Sequence, residues 1–336
     1  MKNPIKVVKN NILKKIFFIL SFIFNFAPKY LNYIIMKRLL IQLVTVLLLL
    51  PVFSFHCFGA DTYTLEYKLE KGKSFKQKII TTMSMKMNAM GQNIDINTIS
   101  DLTLKFEVLG QNNGVFDVQA SYVRVKTNTS SPMGTFAIDS DSPETSFDRS
   151  VGDVFKSIVG IPIDFQINKK GKVTSVKGVE KITEKLNVVS NDQFKQMFDQ
   201  QFSENSIQVL FDQMISSFPE KSVAIGESWD ISENLNANGL DLISKRKLTL
   251  KQVKDNIATV DCVGTLTTPE GGSNMKIQGM EATVSMKGEQ SGTLKFDLKT
   301  GWTISSEISQ ISDQDISIMG QSLKQKIETK VTVTTE

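Results

Sequence analysis

The chain has 336 residues, with 39 basic and 35 acidic side chains, a formal charge of +4 and one histidine. The charge is unevenly placed: the first sixty residues carry eight basic residues (Lys2, Lys6, Lys9, Lys14, Lys15, Lys29, Lys37 and Arg38) and no acidic one. Removing those eight leaves 31 basic against 35 acidic residues, a balance of −4, so the basic pI gives no argument for nucleic-acid binding.

Two apolar stretches follow basic clusters in this leader: "IFFILSFIFNFA" (16–27) and "LLIQLVTVLLLLPVF" (39–53). The second follows Met36-Lys37-Arg38 and reads as a signal peptide, with Cys57 and Gly59 at the two small-residue positions before a cut after Gly59. The expected organisation is a leader over 1–59, with Met36 as the true start, and a single β-rich domain over 60–336. The rival is a membrane anchor, but both blocks fall short of the roughly 20 residues of a spanning helix. A lipid on Cys57 calls for a small residue before it, and His56 stands there. The expected location is the periplasm or the cell surface. After cleavage no histidine remains and Cys262 is the sole cysteine, so no intrachain disulfide forms. The remaining ~277 residues suffice to bury a core without covalent staples.

Period-two alternation runs through this domain. "YTLEYKL" (63–69) places Tyr63, Leu65, Tyr67 and Leu69 on one face. The strands continue with "LTLKFEVL" (102–109), "VFDVQASYVRV" (115–125), "KLTLKQV" (247–253), "IATVDCVGTL" (257–266), "GTLKFDL" (292–298) and "KVTVT" (330–334). "GQNNG" (110–114), "KKG" (169–171), "PEGG" (269–272) and "KTG" (299–301) supply turns between them, the mark of an antiparallel protein. A short helix is expected at 150–159, where Val151, Val154, Phe155 and Ile158 share a side. From 178 to 218 the period becomes helical. Ser190 and Gln193 form a capping box before Phe194, Met197, Phe198 and Phe202. A second helix carries Ile207, Leu210, Phe211, Met214, Ile215 and Phe218, with Pro219 ending it.

The two β regions look like copies: "GKSFKQKI" (72–79) matches "GESWDIS" (226–232), and "FQINKKGKVTS" (165–175) matches "FDLKTGWTIS" (296–305). The fold class read from this is mainly β: two similar antiparallel units, half-barrel or sandwich-like, about 61–182 and 219–336, with a central helical pair at about 179–218. The blocks "GIPIDFQINKKGKVTSVKGVEKI" (160–182), "FPEKSVAIGESWDIS" (218–232) and "GTLKFDLKTGWTISSE" (292–307) resemble an uncharacterised domain-of-unknown-function family. That family consists of secreted or envelope β-rich proteins of Gram-negative bacteria. The resemblance implies export and a β fold; it carries no functional residues across.

The catalytic motifs lack their context. "GKS" (72–74) has Tyr67 where a phosphate-binding loop needs glycine, and "FKQKII" after it reads as a strand. "SKRK" (244–247) with "KTG" imitates penicillin-recognising enzymes, but alternation puts Ser244 and Lys247 on opposite faces. Cys262 has no histidine to activate it and reads as a buried thiol. Asp139, Asp141 and Glu144 read as a solvated acidic loop or a calcium loop with an incomplete ligand set. The basic run Lys245, Arg246, Lys247, Lys251, Lys254 reads as the wet side of a strand, or as a contact for anionic headgroups.

"MSMKMNAMGQN" (83–93) offers Met83, Met85 and Met87 about 6.6 Å apart on one strand face. Such thioethers suit Cu(I), yet no histidine assists them. "MGQ" recurs at 319–321, so Met-Gly-Gln reads as a hairpin tip. Two readings stay open for the apolar face. In one, Met83, Met85, Met87, Met275, Met280 and Met286 are core. In the other they line a ligand site together with Phe194, Phe198, Phe202, Leu210, Phe211 and Met214. The expectation is an exported, non-enzymatic envelope protein without metal or cofactor, holding a lipid or other apolar ligand between sheet and helices. The alternative is a structural component that binds another envelope protein; Met-based copper binding is the third reading. No nucleic acid is expected.

Overall fold

A computed structural model describes residues 61–89, 92–186, 202–215, 218–237, 239–277 and 280–336. In chain order the elements are β1 (Thr62–Tyr63), β2 (Ser74–Ala89), β3 (Gln92–Asn112), β4 (Val115–Ser131), β5 (Gly134–Asp139), α1 (Arg149–Ile158), β6 (Pro162–Asn168), β7 (Val173–Lys177), α2 (Glu180–Leu186), α3 (Glu204–Met214), β8 (Val223–Ala224), β9 (Ser228–Ala237), β10 (Leu240–Lys254), β11 (Ile257–Thr267), β12 (Ser273–Ile277), β13 (Met280–Asp297), β14 (Thr303–Ile318) and β15 (Gln321–Thr335).

Thirteen strands form one antiparallel sheet, its main path running β7-β6-β4-β3-β2-β15-β14-β13-β11-β10-β9. β5 pairs with β4 and β12 with β13, while β1 and β8 form a separate two-stranded pair. Each half is a meander, and the halves join where β15 lies against β2, from Gln325 opposite Met87 to Thr335 opposite Gln77. The edge strands β7 and β9 do not pair, and α3 contacts both. A sheet whose two ends touch one helix, itself about 10 Å across, is curled. It remains an open half-barrel with α3 in the seam, and a helix laid against sheet edges is one way of protecting them.

The two meanders repeat their turns. Gly72 N–H donates to Val108 O (2.8 Å) and Val108 N–H to Lys73 O (2.9 Å); in the second half Gly226 N–H donates to Leu250 O (2.7 Å) and Leu250 N–H to Glu227 O (3.0 Å). The β3–β4 turn has Asn113 and Gly114 at φ 49° and 80°, and the β10–β11 turn has Asp255 and Asn256 at 52° and 61°. Both are two-residue turns with two positive φ values, whose twist matches that of the flanking strands. "MGQ" behaves likewise: Ile318 pairs with Gln321 around Met319 (φ 51°) and Gly320 (φ 80°). Ala89 pairs with Gln92 around positions 90 and 91, which lie outside the described residues.

The core collects at the end of the half-barrel where the helices sit. Leu104, Phe106, Val108, Phe116, Val118, Phe165 and Ile167 of the first meander and Leu250, Ala258, Val260 and Phe296 of the second are buried there. From the helices, Val151, Phe155, Ile158, Ile182, Leu186, Ile207 and Phe211 meet them. α1 occupies the expected place, with Asp148 accepting from Ser150 N–H at its start. α3 stops at Met214, short of Pro219: Ile215 is already extended (φ −90°, ψ 122°). The chain turns there because Phe218 is drawn into the core while its N–H donates to Lys170 O (2.9 Å). The expected capping box at Ser190 and Gln193, with Phe194, Met197 and Phe198, lies outside the described residues.

Residues 64–70 differ from the strand read from their alternation. Leu65, Tyr67 and Leu69 are buried as the period predicts, but the segment joins no ladder. It crosses the end of the half-barrel: Tyr67 N–H donates to Lys169 O (2.8 Å) and Lys68 N–H to Thr300 O (2.9 Å). It thereby ties the β6–β7 turn to the β13–β14 turn. Tyr67 meets Phe218 and Trp302 (ring centroids 5.2 and 6.1 Å), and Trp302 stacks on Phe75 at 4.5 Å. The alternating pattern therefore reports one buried side, and the missing ladder shows that it does not by itself imply pairing.

Candidate functional site

The inner face of the second half is read off the register. Residues directly opposite across neighbouring strands share a face. One such row runs Arg246, Gly264, Gln290, Gln310, Thr329, Met83, Thr98. The next inner row towards the helices is Leu248, Cys262, Gly292, Ile308, Val331, Thr81, followed by Leu294, Ser306, Val333 and Ile79. A polar band therefore borders an apolar floor.

Between this floor and α3 lies a hollow of about 360 Å³. Its walls are Trp229, Leu248, Leu294, Phe296, Ile308, Val331 and Val333, with Leu210 entering from α3. Arg246, Glu233, Ser244, Gln290, Gln310 and Thr329 line it as well. Two glycines on this face lie close against neighbouring strands: a Cβ on Gly264 would sit 2.5 Å from the Lys245 carbonyl oxygen and 3.1 Å from the Arg246 Cγ, and one on Gly292 would strike the Glu307 carbonyl oxygen. Arg246 Nη2–H donates to Glu233 Oε2 at 2.7 Å, and the two side chains are 16% and 28% exposed. Arg246 Nε is buried without a hydrogen-bond partner. Cys262, a free buried thiol, lines the same hollow; burial pushes its pKa up and the nearby Arg246 charge pulls the other way.

The structure scatters the residues singled out from sequence. Leu210 lines the hollow. Phe211 and Phe202 fill the core instead: Phe211 lies 4.6 Å from Phe165 and 6.2 Å from Phe106, and Phe202 lies 6.1 Å from Tyr122 and 6.3 Å from Phe155, between ring centroids. Met83, Met85 and Met87 are half-buried on the inner face, along the part of β2 that runs away from the helices. Met286 is buried with Leu235 and Leu242, and Met280 is 40% exposed at the start of β13. Gln314 links the far ends, donating to Met286 Sδ (3.0 Å) and accepting from Gln325 (2.6 Å), which lies opposite Met87. Met87 and Met286 border a wider hollow of about 980 Å³ whose lining is otherwise mostly polar, with Lys86, Asp95, Lys287, Asp313 and Lys326 among it. Phe194 and Phe198 lie outside the described residues, as does the side chain of Met214.

Arg246 was read as one member of a basic run on a wet strand. Lys245, Lys247 and Lys251 are indeed exposed and Leu248 and Leu250 buried, but Arg246 lies on the leucine face. The signal was available: 246, 248 and 250 have the same parity. The acidic loop has cations of its own. Asp139 lies 2.9 Å from Lys126 Nζ and 3.6 Å from Arg124, and Asp141 lies 3.0 Å from Arg124 Nε. Burial raises the Asp139 pKa, but the Lys126 hydrogen bond, the Asp141 N–H and both cations outweigh it and hold the carboxyl below its usual range. Among the described residues no three His, Cys, Asp or Glu side chains are grouped to hold a metal ion.

Fold and site together define a class: a mainly β protein with one large open antiparallel sheet, closed over by helices at one end and hollow beyond them. The chain belongs to DUF6263, a family of unknown function, whose model matches residues 113–303, from the β3–β4 turn to the start of β14. No curated protein matches it by sequence. Among solved structures the chain is similar to one of lipid–protein interactions in lipovitellin (TM-score 0.46, 9% identity, 80% of this chain and 25% of that one). The chain thus spans a quarter of that structure's length. It is also similar to the translocator domain of autotransporter NalP from Neisseria meningitidis (TM-score 0.21, 5% identity, 79% and 89% covered). A third likeness is to a protein with a YmcC-like fold from Bacteroides fragilis (TM-score 0.13, 7% identity, 79% and 96% covered).

Proposed function

We propose that this is an exported, non-enzymatic binding protein that holds a lipid or other apolar ligand in the hollow between the inner sheet face and α3. The observation that carries the reading is the hollow itself. Protein interiors are close-packed, with few voids larger than a water molecule. About 360 Å³ walled by Leu, Ile, Val, Phe and Trp is of the order of ten times the ~30 Å³ a liquid water occupies, and it falls within the ~300–1,000 Å³ of ligand pockets. Export rests on the basic-then-apolar leader ending at Gly59, and places the protein in the cell envelope or outside it. The non-enzymatic part rests on the sequence after that leader, which lacks histidine, and on the burial of its only thiol.

Native mass spectrometry with lipid extraction tests the proposal. The expected result is an apolar molecule bound one to one, lost in a Leu294→Trp variant whose indole fills the hollow. A chain that purifies empty and takes up no added amphiphile overturns it. A second reading, a component that docks another envelope protein, is favoured by Val263 and Ile311, 54% and 51% exposed on the outer face beside Lys245, Lys247 and Lys287. A pull-down in which a Val263→Asp/Ile311→Asp variant captures the same proteins as the wild type removes it.

A further inference from the structure

We propose that the ligand is a single-chain amphiphile with an anionic head, its head held at Arg246 and its tail pointing towards α3; this rests on the binding reading above. The hollow is chemically polarised along the strands. Arg246, Gln290, Gln310 and Thr329 share one row across five strands, with Gly264 between the first two, a band of hydrogen-bonding groups. On its α3 side the lining is mainly apolar, through Leu248, Ile308 and Val331 to Leu294 and Val333 with Ser306 between them, and Leu210 enters from α3; beyond the band lie Ser244, Leu235 and Leu266. A bound molecule must match that order, polar end at the band and apolar end at the helix.

The sign of the head follows from Arg246. A guanidinium carries five N–H donors and no acceptor, and one of these is engaged by Glu233 at 2.7 Å. Its Nε is buried with no partner, a state that costs stability until an acceptor satisfies it. A carboxylate or phosphate at the band offers two oxygens to the planar fork, the geometry in which arginine binds such groups best. Glu233 neutralises Arg246 in the empty protein and competes with the incoming head, so the pair sets the affinity. From the polar band at Gln290 to the floor at Phe296 is six residues of strand, about 20 Å. At ~30 Å³ per methylene-sized group, about 360 Å³ takes one chain of roughly a dozen carbons and not two.

The test compares dodecanoate with dodecanol by isothermal titration. Wild type is expected to bind the acid about tenfold more tightly than the alcohol, the strength of a charge-assisted hydrogen bond. Glu233→Gln removes the competitor and is expected to widen that preference. Glu233→Gln/Arg246→Gln, which leaves no unpaired buried charge, is expected to bind both probes alike. Equal binding of acid and alcohol by wild type overturns the inference while sparing the binding reading, and so does an acid preference that survives in the double variant. Binding of neither probe by wild type overturns both.

Discussion

Gly301 lies where the crossing segment 64–70 meets the β13–β14 turn, and replacing it by alanine measures how firmly that end of the half-barrel is closed. Its φ of 74° costs a residue with a Cβ about 1–2 kcal/mol, and the smaller entropy of the unfolded alanine chain returns ~0.5 kcal/mol. Beyond this, the new methyl would strike the Glu66 carbonyl oxygen and press on the Tyr67 Cα at 2.9 Å. That backbone cannot move freely, because Tyr67 and Lys68 donate to Lys169 and Thr300 on either side. Overpacking of this kind adds about 1–3 kcal/mol, so Gly301→Ala is expected to lose about 2–4 kcal/mol in urea unfolding. Gly320 is the control. It has a similar φ of 80° but nothing within 4 Å of an added Cβ, so Gly320→Ala keeps the conformational cost alone, about 1 kcal/mol. Equal losses for the two variants would refute the reasoning, since the close approach of segment 64–70 would then cost nothing.

Phe211→Ala empties a fully buried site between Phe106 and Phe165 and is expected to cost about 3–5 kcal/mol. Because α3 sits in the seam, the same variant is expected to self-associate, visible as early-eluting species in size-exclusion chromatography. The lowered Asp139 pKa means that its contribution to stability is complete above the unfolded value of about 3.9 and is lost as pH falls through the folded value. Asp139→Asn is therefore expected to flatten the acid limb of the stability curve and to cost no more than about 1 kcal/mol at pH 7, as read from chemical denaturation across pH. Cys262 is buried with a raised pKa and lines the hollow, so a thiol reagent is expected to label the native protein slowly and bound dodecanoate to slow it further; labelling that dodecanoate leaves unchanged would show that the amphiphile sits elsewhere.

How much of this was legible in the sequence depended on which interactions are local. Turn chemistry is local, so "GQNNG" and "MGQ" marked hairpins, and the 3.6 period marked α1 and α3. Alternation assigned faces correctly where one face is dry and the strand is regular, as at 247–250 and 257–266, but not past the bulge between Leu250 and Gln252, which turns Val253 back towards the core. At the far ends of the long strands it is weaker: "QNIDINTISD" opens β3 with Ile94 and Ile96 on a face that is only half-buried and Thr98 and Ser100 beside them, because little packs on the sheet there. Strand order was not legible either. Periodicity says which side of Lys330 or Thr82 faces inward, but not that β15 and β2 are neighbours. The seam-filling role of α3 depends on β7 and β9 meeting it from opposite ends of the sheet, a contact between residues far apart in the chain. At the candidate site, Leu210 followed from helix spacing. Arg246 sits in a run of like charges, and only the alternation with Leu248 and Leu250 separates it from the exposed lysines on either side.

The junction of β15 with β2 also has a kinetic meaning. Every pairing in either meander links strands close in sequence, but Thr335 meets Gln77 across most of the domain. Contacts of such separation are slow to form, since loop closure must be completed before they stabilise anything. The two meanders can each zip locally while the middle of the finished sheet, and with it the floor of the hollow at Val331 and Val333, waits for residues 321–335. Until then β2 carries an unpaired edge, with Met83, Met85 and Met87 alternating with Thr82, Ser84 and Lys86, of the kind that invites pairing with other chains. That interval is when the chain is most open to pairing with its neighbours.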